Sequence, residues 1–312
     1  MLRPRRVLPR AGAMEGIACI FIHMEHNYAT PSAFGPVVVK YGGNALGVGG
    51  ASVTPSSPPV TLSLSKGDPI LAELVALHQG GTPVVLVHGG GPEIDRWLDL
   101  RGVPTRRVDG LRVTDAATLE ITEAVLCATI NKRLVRACSA LGARAVGISG
   151  EDAGTLVATR AHGSHGEDLG YVGEVAGCDP ALINTLLATG YLPIVAPLAT
   201  AEDNAHPYNV NADLAAAALA GALHARAFVV ITNVERVRRD AADPASGIDR
   251  LTLEEARAFV NSPACEGGML PKMQAAIAAV ESGATATYIC GPQPLAAALA
   301  GNATVVTLSS RA

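Results

Sequence analysis

One lysine of this chain stands where a buried strand is predicted to end. Lys40 follows the apolar run Val37–Val39 and lies just before Gly42 and Gly43. Short runs of β-branched residues are typical of buried parallel strands, and glycines after such a strand leave backbone N–H groups accessible. Because an ammonium group and bare N–H groups together stabilise phosphate charge, the pattern favours phosphate chemistry over a lysine that only reaches towards solvent.

A second strand, predicted over Val84–Val87, is followed by His88 and then by three glycines at positions 89 to 91. Pro92 comes next, and proline suits the first position of a helix. Glycine N–H groups at a helix start form a pocket for anions, whereas a simple strand-to-helix turn needs one glycine rather than three. His88 could serve as a base, but a strand-end histidine more often takes part in structural hydrogen bonds, and we favour that interpretation.

A second lysine lies at the start of a predicted helix. Lys272 follows Gly267 and Gly268 and falls in the first turn of the helix predicted over Pro271–Glu281. A cation in that position opposes the helix dipole, which indicates a negatively charged ligand as compensation. The alternative interpretation is an ordinary exposed lysine on a helix.

Further polar positions suit ligand binding. Arg112 near a pocket would hold a carboxylate through two N–H groups, although an isolated arginine usually lies on the surface. Asn209, Asn211 and Asp213 open an alanine-rich helix. A helix cap uses one of these three side chains, so the pattern exceeds what capping needs.

The remaining sequence predicts the scaffold that positions these residues. Strand-like and helical patterns alternate along most of the chain, which predicts an α/β fold: a three-layer αβα sandwich around a mostly parallel central sheet. Ligands bind such sheets beyond the carboxyl ends of the strands, so both glycine loops should lie at one edge. The predicted strands are Val37–Lys40, Val84–Val87, Ala143–Ile148, Leu192–Ala196, Ala227–Ile231, Thr285–Ile289 and Thr304–Leu308, and the predicted helices are Pro69–His78, Glu93–Leu100, Thr118–Leu141, Pro180–Ala188, Ala212–Leu223, Leu253–Val260, Pro271–Glu281 and Pro294–Ala300.

The sequence predicts one domain with a tail before it and an insertion within it. We expect residues 1–35 to form a poorly ordered N-terminal tail and residues 36–312 to form a single domain. The stretch Gly47–Asp68 is rich in Gly, Ser, Thr and Pro and predicts a flexible insertion. The apolar run Ile17–Ile22 is shorter than the core of a signal peptide, so we expect neither secretion nor a membrane-spanning segment.

Composition excludes several classes of function. The 312 residues are 49% hydrophobic and 4% aromatic, with a formal net charge of -4, so a sizeable core is expected and a basic nucleic-acid surface is not. No P-loop, dinucleotide fingerprint or nucleophile elbow occurs. The six cysteines form no C-x-x-C pair and predict reduced thiols in a cytoplasmic protein rather than a zinc site; they are Cys19, Cys127, Cys138, Cys178, Cys265 and Cys290.

In chain order, these segments resemble the amino acid kinase superfamily and, within it, the acetylglutamate kinase family. Family members transfer the γ-phosphoryl group of MgATP to the side-chain carboxylate of N-acetyl-L-glutamate in arginine biosynthesis. The sequence departs from the usual family pattern at Asn233, where Asp is usual, and at Arg236, where Gly is common. The matching segments are Lys40–Asn44, His88–Pro92, Gly110–Asp115, Asn131-Lys132, Gly173–Val175, Asn209–Asp213 and Gly267–Lys272.

The resemblance implies a role for particular residues. Lys40 and Lys272 would stabilise the transferring phosphoryl group, and Asp213 would hold both lysines in place. No protein ligand to a metal is implied, since Mg²⁺ would be held mainly by the phosphates of ATP. The residues implied to bind the acceptor are Gly90, Gly91, Arg112 and Asn209, and those implied to bind ATP are Gly42, Gly43, Asn233, Val234, Val237 and Glu266.

The resemblance also implies an arrangement of lobes and partners. Residues 36–200 would form the acceptor-binding lobe and residues 201–312 the ATP-binding lobe of a cytoplasmic homo-oligomer, either a dimer or a hexamer. Its partners would be small molecules, with neither nucleic acid nor membrane involved.

Two other interpretations stay open. One is a sister kinase that acts on carrier-bound α-aminoadipate in lysine biosynthesis, and the other is a non-catalytic regulator that binds a nucleotide or an amino acid. The intact segments Gly110–Asp115 and Asn209–Asp213 favour acetylglutamate as the acceptor. Retention of Lys40, Asp213 and Lys272 argues against a regulator.

Overall fold

The computed structural model describes residues 35–42 and 68–309. The predictions for the N-terminal tail, for residues 47–67 and for Gly43 lie outside the described residues. The strands are β1 Val37–Tyr41, β2 Val84–His88, β3 Arg107–Val108, β4 Leu111–Arg112, β5 Ala145–Ser149, β6 Leu156–His162, β7 Asp168–Cys178, β8 Leu192–Ala196, β9 Leu198–Ala201, β10 Pro207–Val210, β11 Ala227–Ile231, β12 Arg250–Thr252, β13 Ala286–Cys290 and β14 Thr304–Thr307. The α-helices are α1 Pro69–Gln79, α2 Gly91–Arg101, α3 Ala116–Glu123, α4 Asn131–Ala140, α5 Ala181–Ala188, α6 Ala212–Ala222, α7 Leu253–Val260, α8 Met269–Glu281 and α9 Leu295–Leu299.

Eight strands form one sheet in the order β12-β14-β13-β11-β1-β2-β8-β5. Every neighbouring pair is parallel except β13 with β14, which is antiparallel. The prediction of an α/β fold with a mostly parallel sheet is therefore confirmed. The strand β1 lies in the middle, paired with β2 on one side and β11 on the other, so its carboxyl end is central to the ligand-binding edge.

Both faces of the sheet are covered, which gives the molecule its three layers. Side chains alternate between the faces of a strand. In β1, Val38 packs in the core that includes the alanine-rich face of α6 and the buried side of α8. Its neighbours Val37 and Val39 pack in the other core, with buried residues of α1, α4 and α9. By the same alternation, Lys40 shares the face of Val38 and is directed towards α6 and α8.

A closed barrel of four strands lies beside the sheet, and it was not predicted from the sequence. The barrel consists of β6, β7, β9 and β10, with antiparallel pairs β6–β7 and β9–β10 joined by parallel pairs. The strand β7 contains Gly170, Gly173 and Gly177, and glycines weaken the sequence pattern of a strand. The barrel requires one of them, because a Cβ at Gly173 would stand 2.6 Å from the Cβ of Tyr208.

The long helix predicted over Thr118–Leu141 exists, but it is not uniformly α-helical. It runs from Ala116 to Ala140 and contains a π-helical segment, Ala124–Ile130, between α3 and α4. Asp115 caps its start, where the side chain accepts a hydrogen bond of 2.8 Å from the N–H of Thr118. Periodicity could not reveal the π segment, because seven residues are too few to shift an amphipathic pattern visibly. Such segments occur frequently at functional sites.

One residue assigned to the flexible insertion has a defined structural role. Asp68 is the N-cap of α1, and its carboxylate accepts hydrogen bonds from the N–H groups of Ile70 at 3.0 Å and Leu71 at 3.1 Å. The hydroxyl of Tyr41 donates to the same carboxylate. The capping residue therefore ties the start of α1 to the end of β1, and the prediction was wrong at this position.

The described residues contain no helix with both the length and the apolar character that crossing a lipid bilayer would need. The five cysteines in this part of the chain are free thiols: Cys127, Cys138, Cys178, Cys265 and Cys290.

Candidate active site

Two lysines far apart in the sequence meet at one carboxylate. The Nζ atom of Lys40 lies 2.9 Å from Oδ1 of Asp213, and the Nζ atom of Lys272 lies 3.0 Å from Oδ2. All three side chains are largely buried, with exposed fractions of 9% for Lys40, 16% for Lys272 and 7% for Asp213. Each oxygen of the carboxylate is thus engaged by a different ammonium group, which fixes the spacing of the two cations.

The local sequence explains why these three groups meet. Lys40 ends the buried run of β1, while Asp213 and Lys272 each lie in the first turn of a helix, α6 and α8 respectively. Asn211 caps α6 by accepting hydrogen bonds from the N–H of Asp213 at 2.8 Å and of Leu214 at 3.3 Å. Since Asn211 already satisfies these donors, the carboxylate of Asp213 is released from capping and turns towards the lysines.

The electrostatics leave this cluster positively charged. Burial lowers the pKa of Lys40, and the negative charge of Asp213 opposes that effect. Burial raises the pKa of Asp213, but attraction to Lys40 and Lys272 outweighs it, so the pKa lies below the usual value of a carboxyl group. Two ammonium groups against one carboxylate give a net charge of about +1 in a poorly solvated place, which favours an anionic ligand.

The glycine after β1 is shaped around the first lysine. A Cβ at Gly42 would stand 2.9 Å from Nζ and 3.1 Å from Cε of Lys40. The N–H of Gly89 donates to the carbonyl of Tyr41 at 3.0 Å, which holds the loop after β2 against the end of β1. Gly42 and the second glycine loop therefore lie at the same edge of the sheet, as the sequence predicted.

The second glycine loop presents backbone N–H groups at the start of α2. Gly90 is the N-cap of this helix and receives no side-chain capping bond. A Cβ at Gly90 would stand 2.6 Å from methyl groups of Leu126 and Ile130 on the π segment. A Cβ at Gly91 would meet no described atom within 4 Å apart from its chain neighbours and the backbone of its own helix. One side of the loop is thus packed against the π segment, and the space beside Gly91 is open.

Arg112 lies beside this loop and is already paired. Its guanidinium group donates to the carbonyl of Gly91 at 3.0 Å and to the carboxylate of Asp95. Arg107 contacts the same carboxylate at 2.9 Å. Arg112 is buried, with 6% of its surface exposed. Asp95 could not be singled out from the sequence, because a lone acidic residue on a helix carries no pattern that distinguishes it from a solvated one.

Asn209 is linked to Arg112 through one intermediate. Its side-chain N–H donates to Oγ1 of Thr114 at 3.2 Å, and that hydroxyl donates to the carbonyl of Arg112 at 2.8 Å. The structure therefore brings together Gly90, Gly91, Arg112 and Asn209, all of which the resemblance implied as acceptor-binding residues. Thr114, which is fully buried, was not singled out in the sequence.

The residues implied to bind ATP differ in how far they are buried. Asn233 and Glu266 are exposed, and Val234 is partly exposed. Val237 is fully buried in the core; its N–H donates to Thr304 at 2.8 Å and its carbonyl accepts from Ile248 at 2.8 Å. The side chain of Val237 therefore lies in the core and both of its backbone groups are engaged within the protein, and its assignment to the ATP site stays a prediction.

The departure from the family pattern at Arg236 has a structural partner. Its guanidinium group contacts Asp249 at 3.1 Å and Asn302 at 3.1 Å. The backbone of the neighbouring Glu235 passes close to the end of β13, since a Cβ at Gly291 would stand 3.3 Å from the Cα of Glu235. The arginine therefore ties this loop to the last strands of the sheet.

A buried histidine and asparagine complete the neighbourhood of the glycine loops. His88 is fully buried, and its Nδ1 lies 3.0 Å from the carbonyl of Gly89. Its Nε2 lies 3.3 Å from Nδ2 of Asn131, the first residue of α4. Burial lowers the pKa of His88 to about 4, so the ring is neutral at pH 7. The structural interpretation of His88 is therefore favoured over that of a general base, which would have to be accessible.

Comparison with known proteins agrees with this architecture. The model of the amino acid kinase family matches residues 35–291. Carbamate kinase from Giardia lamblia, solved with AMP-PNP bound, superposes with a TM-score of 0.63 at 18% identity and covers 89% of this chain and 99% of that one. The fold and the site thus define an ATP-dependent kinase of the amino acid kinase type.

Curated relatives show to which kinases of this type the chain belongs. The acetylglutamate kinase of Symbiobacterium thermophilum is 38% identical over 258 residues, which cover 81% of this chain and 83% of the relative. That of Thermoanaerobacter sp. is 39% identical over 253 residues, 81% of this chain and 79% of the relative. The chain belongs to the amino acid kinase family and, within it, to the acetylglutamate kinases.

Proposed function

We propose that this enzyme transfers the γ-phosphoryl group of ATP to the side-chain carboxylate of N-acetyl-L-glutamate, giving N-acetyl-L-glutamyl 5-phosphate and ADP in arginine biosynthesis. The observation that carries the proposal is the pair of buried ammonium groups, Lys40 and Lys272, held on the two oxygens of Asp213. The names of the curated relatives support the same acceptor.

The chemistry of the cluster fits a polyphosphate. A carboxylate acceptor is ionised at neutral pH, so the reaction needs no general base. The protein must instead gather anions and stabilise the charge that spreads over the transferring group. The excess positive charge at Lys40 and Lys272 meets that need, because it is buried and held in place before any ligand arrives.

ATP, when bound with Mg²⁺, supplies the phosphoryl group and much of the charge neutralisation. Mg²⁺ is commonly held by phosphates and water with few protein ligands. The described residues include no group of three or more His, Cys, Asp or Glu side chains that could hold a metal ion. The residues proposed for the ATP side are Lys40, Lys272, Gly42, Gly43, Asn233, Val234, Val237 and Glu266.

On the acceptor side, we assign orientation to Arg112, Asn209 and the glycine loop. Arg112 would hold the carboxylate of the amino acid through the N–H groups that remain beside those donated to Asp95 and Gly91. The open space beside Gly91 would admit the acceptor next to the bare N–H groups of the loop. Residues 36–200 would thus form the acceptor-binding lobe and residues 201–312 the ATP-binding lobe.

The proposal includes a setting for the enzyme. It would work in the cytoplasm, where reduced thiols such as the five described here persist. It would act as a homo-oligomer on small molecules, without nucleic acid or membrane partners.

One assay tests the proposed reaction. The purified full-length chain is given MgATP and N-acetyl-L-glutamate, ADP release is followed, and hydroxylamine traps the acyl phosphate as a hydroxamate. We expect ADP and hydroxamate in equal amounts. Carrier-bound α-aminoadipate is tested in parallel, and a faster reaction with that acceptor would assign the enzyme to lysine biosynthesis instead. Absence of turnover with both acceptors would support a non-catalytic regulator.

A further inference from the structure

The buried contact between His88 and Asn131 is not used by the phosphoryl-transfer site described above. It lies directly beneath the glycine loop, between the end of β2 and the point where the π segment gives way to α4. Both side chains are almost completely inaccessible, with 0% of His88 and 1% of Asn131 exposed. Burying two polar side chains is costly unless their hydrogen bonds are satisfied, so their arrangement is tightly constrained.

The amide of Asn131 can face His88 in one orientation. Its Nδ2 lies 2.9 Å from the carbonyl of Ile194 and 3.2 Å from that of Ile148, while its Oδ1 lies 3.2 Å from Nζ of Lys132. Turning the amide over would set an oxygen against two carbonyl oxygens and an NH₂ group against an ammonium group. The NH₂ group therefore faces Nε2 of His88.

That orientation fixes where the ring of His88 carries its proton. A neutral histidine has one N–H donor and one bare acceptor nitrogen. Since Nε2 faces an N–H group of Asn131, Nε2 is the acceptor and the proton is on Nδ1. The Nδ1–H group then donates to the carbonyl of Gly89, 3.0 Å away. The chain of donors runs from Asn131 through His88 to the backbone of the loop.

The direction of the Gly89 carbonyl decides the direction of the next amide. In a planar trans peptide, the carbonyl of one residue and the N–H of the following residue point in opposite directions, and the described residues contain no cis peptide bond. With the carbonyl of Gly89 held inward by His88, the N–H of Gly90 points outward. Within the described part of the chain, that N–H has no acceptor.

We propose that His88, with its tautomer set by Asn131, is a positioning residue that holds the Gly89–Gly90 peptide with its N–H directed to the acceptor. The inference rests on the proposed function in one respect, namely that the acceptor lies on the side of the loop where Arg112 contacts Gly91. Leu126 and Ile130 of the π segment occupy the place that a Cβ on Gly90 would take, 2.6 Å from it. The π segment and Asn131 thus support the loop from the same element.

The first test determines which ring nitrogen of His88 carries the proton, in the absence of substrate. The full-length chain is labelled with ¹⁵N-histidine, and the ring nitrogens of His88 are assigned among the eight histidines by loss of signal in His88→Asn. We expect the proton on Nδ1 at pH 7. A proton on Nε2 would overturn the inference. Because no substrate is present, this result is independent of whether N-acetyl-L-glutamate is the acceptor.

The second test compares two replacements of the same residue. In His88→Asn the side-chain amide can take the place of Nδ1–H and still donate to Gly89, whereas in His88→Gln the amide reaches the place of Nε2 and leaves that carbonyl without its donor. We expect His88→Asn to keep the KM for the acceptor within about threefold of the wild type. His88→Gln should raise that KM about tenfold or more with little change in the KM for ATP, because the acceptor would lose a hydrogen bond to its charged group.

The outcomes distinguish a failure of the positioning role of His88 from a failure of the proposed function. Equal acceptor KM values in His88→Asn and His88→Gln, at matched thermal midpoints, would overturn the positioning role. A parallel rise in the KM for ATP would also overturn it, because that result would indicate general distortion. If the wild type does not turn over N-acetyl-L-glutamate, the proposed function fails, and the ring-nitrogen measurement alone decides the inference.

Discussion

A methyl group on Gly42 would stand 2.9 Å from the ammonium nitrogen of Lys40. This distance is shorter than a normal contact, so the glycine is required by the position of the lysine rather than by a strained turn. The ammonium group is the far end of a flexible chain and can move away at small cost in stability. Its displacement would nevertheless separate it from Asp213, with which it now forms an ion pair.

We therefore expect Gly42→Ala to lower kcat by about tenfold or more, since electrostatic catalysis depends on donors that are already in place. The thermal midpoint should change by no more than a few degrees. The matched control is Gly177→Ala in β7, where the added methyl group meets one side chain at an ordinary distance of 3.8 Å. Equal kcat values in the two variants would show that the position of Lys40 is not critical.

Removing the second ammonium group should affect turnover more than binding. Lys272→Ala is expected to lower kcat about 10²-fold or more, the usual effect of deleting one group that stabilises transition-state charge. The fold should persist, because the residue is partly exposed and lies in the first turn of α8. Steady-state kinetics and circular dichroism check both points. Arg257→Ala is the control, since its exposed ion pair with Glu281 lies at the surface; a near-normal kcat in Lys272→Ala would reject the catalytic assignment.

The shared carboxylate should set the pH range of activity. Burial lowers the pKa of Lys40 and Asp213 raises it, so Asp213→Asn should lower that pKa further. Lys40 must be protonated to stabilise phosphate charge, and a lower pKa means that the proton is lost at lower pH. The alkaline limb of the kcat profile is therefore expected to move to lower pH, with kcat reduced about tenfold or more at its optimum. A profile that keeps its alkaline midpoint would contradict this role of Asp213.

The guanidinium group of Arg112 is expected to act in binding the acceptor. Arg112→Lys keeps the charge but loses the planar pair of N–H donors that now contact Asp95 and the carbonyl of Gly91. We expect the KM for the acceptor to rise about tenfold or more, while the KM for ATP stays within about threefold. Arg250→Lys, at an exposed position of β12, is the control. An unchanged acceptor KM would place the carboxylate-binding group elsewhere.

Burial of a neutral histidine predicts a loss of stability in acid. The pKa of His88 is about 4 in the folded protein, mainly because of burial, against an ordinary value of 6.5. As the pH falls from 6.5 towards 4, the unfolded chain binds a proton at His88 and the folded protein does not. The free energy of unfolding therefore decreases. The loss would be about 3 kcal/mol, at 1.36 kcal/mol per pKa unit.

Urea unfolding at several pH values between 4 and 7 measures this slope. His88→Asn should lack the contribution of His88, because asparagine does not titrate. The control is His165→Asn, which replaces a histidine that lies on the surface in the turn between β6 and β7. If the wild type and His88→Asn lose the same free energy over this range, the neutral buried state of His88 is wrong.

The sequence by itself determined seven of the eight strands of the central sheet, all but the three-residue strand β12. Apolar β-branched runs such as Val84–Val87 strongly favour buried parallel strands. The helices between them show a clear amphipathic period and capping residues. It also indicated the residues of the site, because glycines after a strand and a lysine at a helix start are locally unusual. The barrel was not predictable in the same way, since its glycine-bearing strand β7 is defined by close packing against Tyr208 rather than by its own pattern.

The tertiary structure alone decided how the site is assembled. Lys40 and Lys272 are separated by 231 intervening residues, and no local pattern can state that both contact Asp213 or which oxygen each one takes. The pairing of Arg112 with Asp95, the burial of Val237 and the link from Asn131 through His88 to Gly89 are likewise contacts between distant elements. Residue type and spacing encode what a chain can do locally, whereas the distances, burial and charge balance that set its chemistry exist only once the elements have packed.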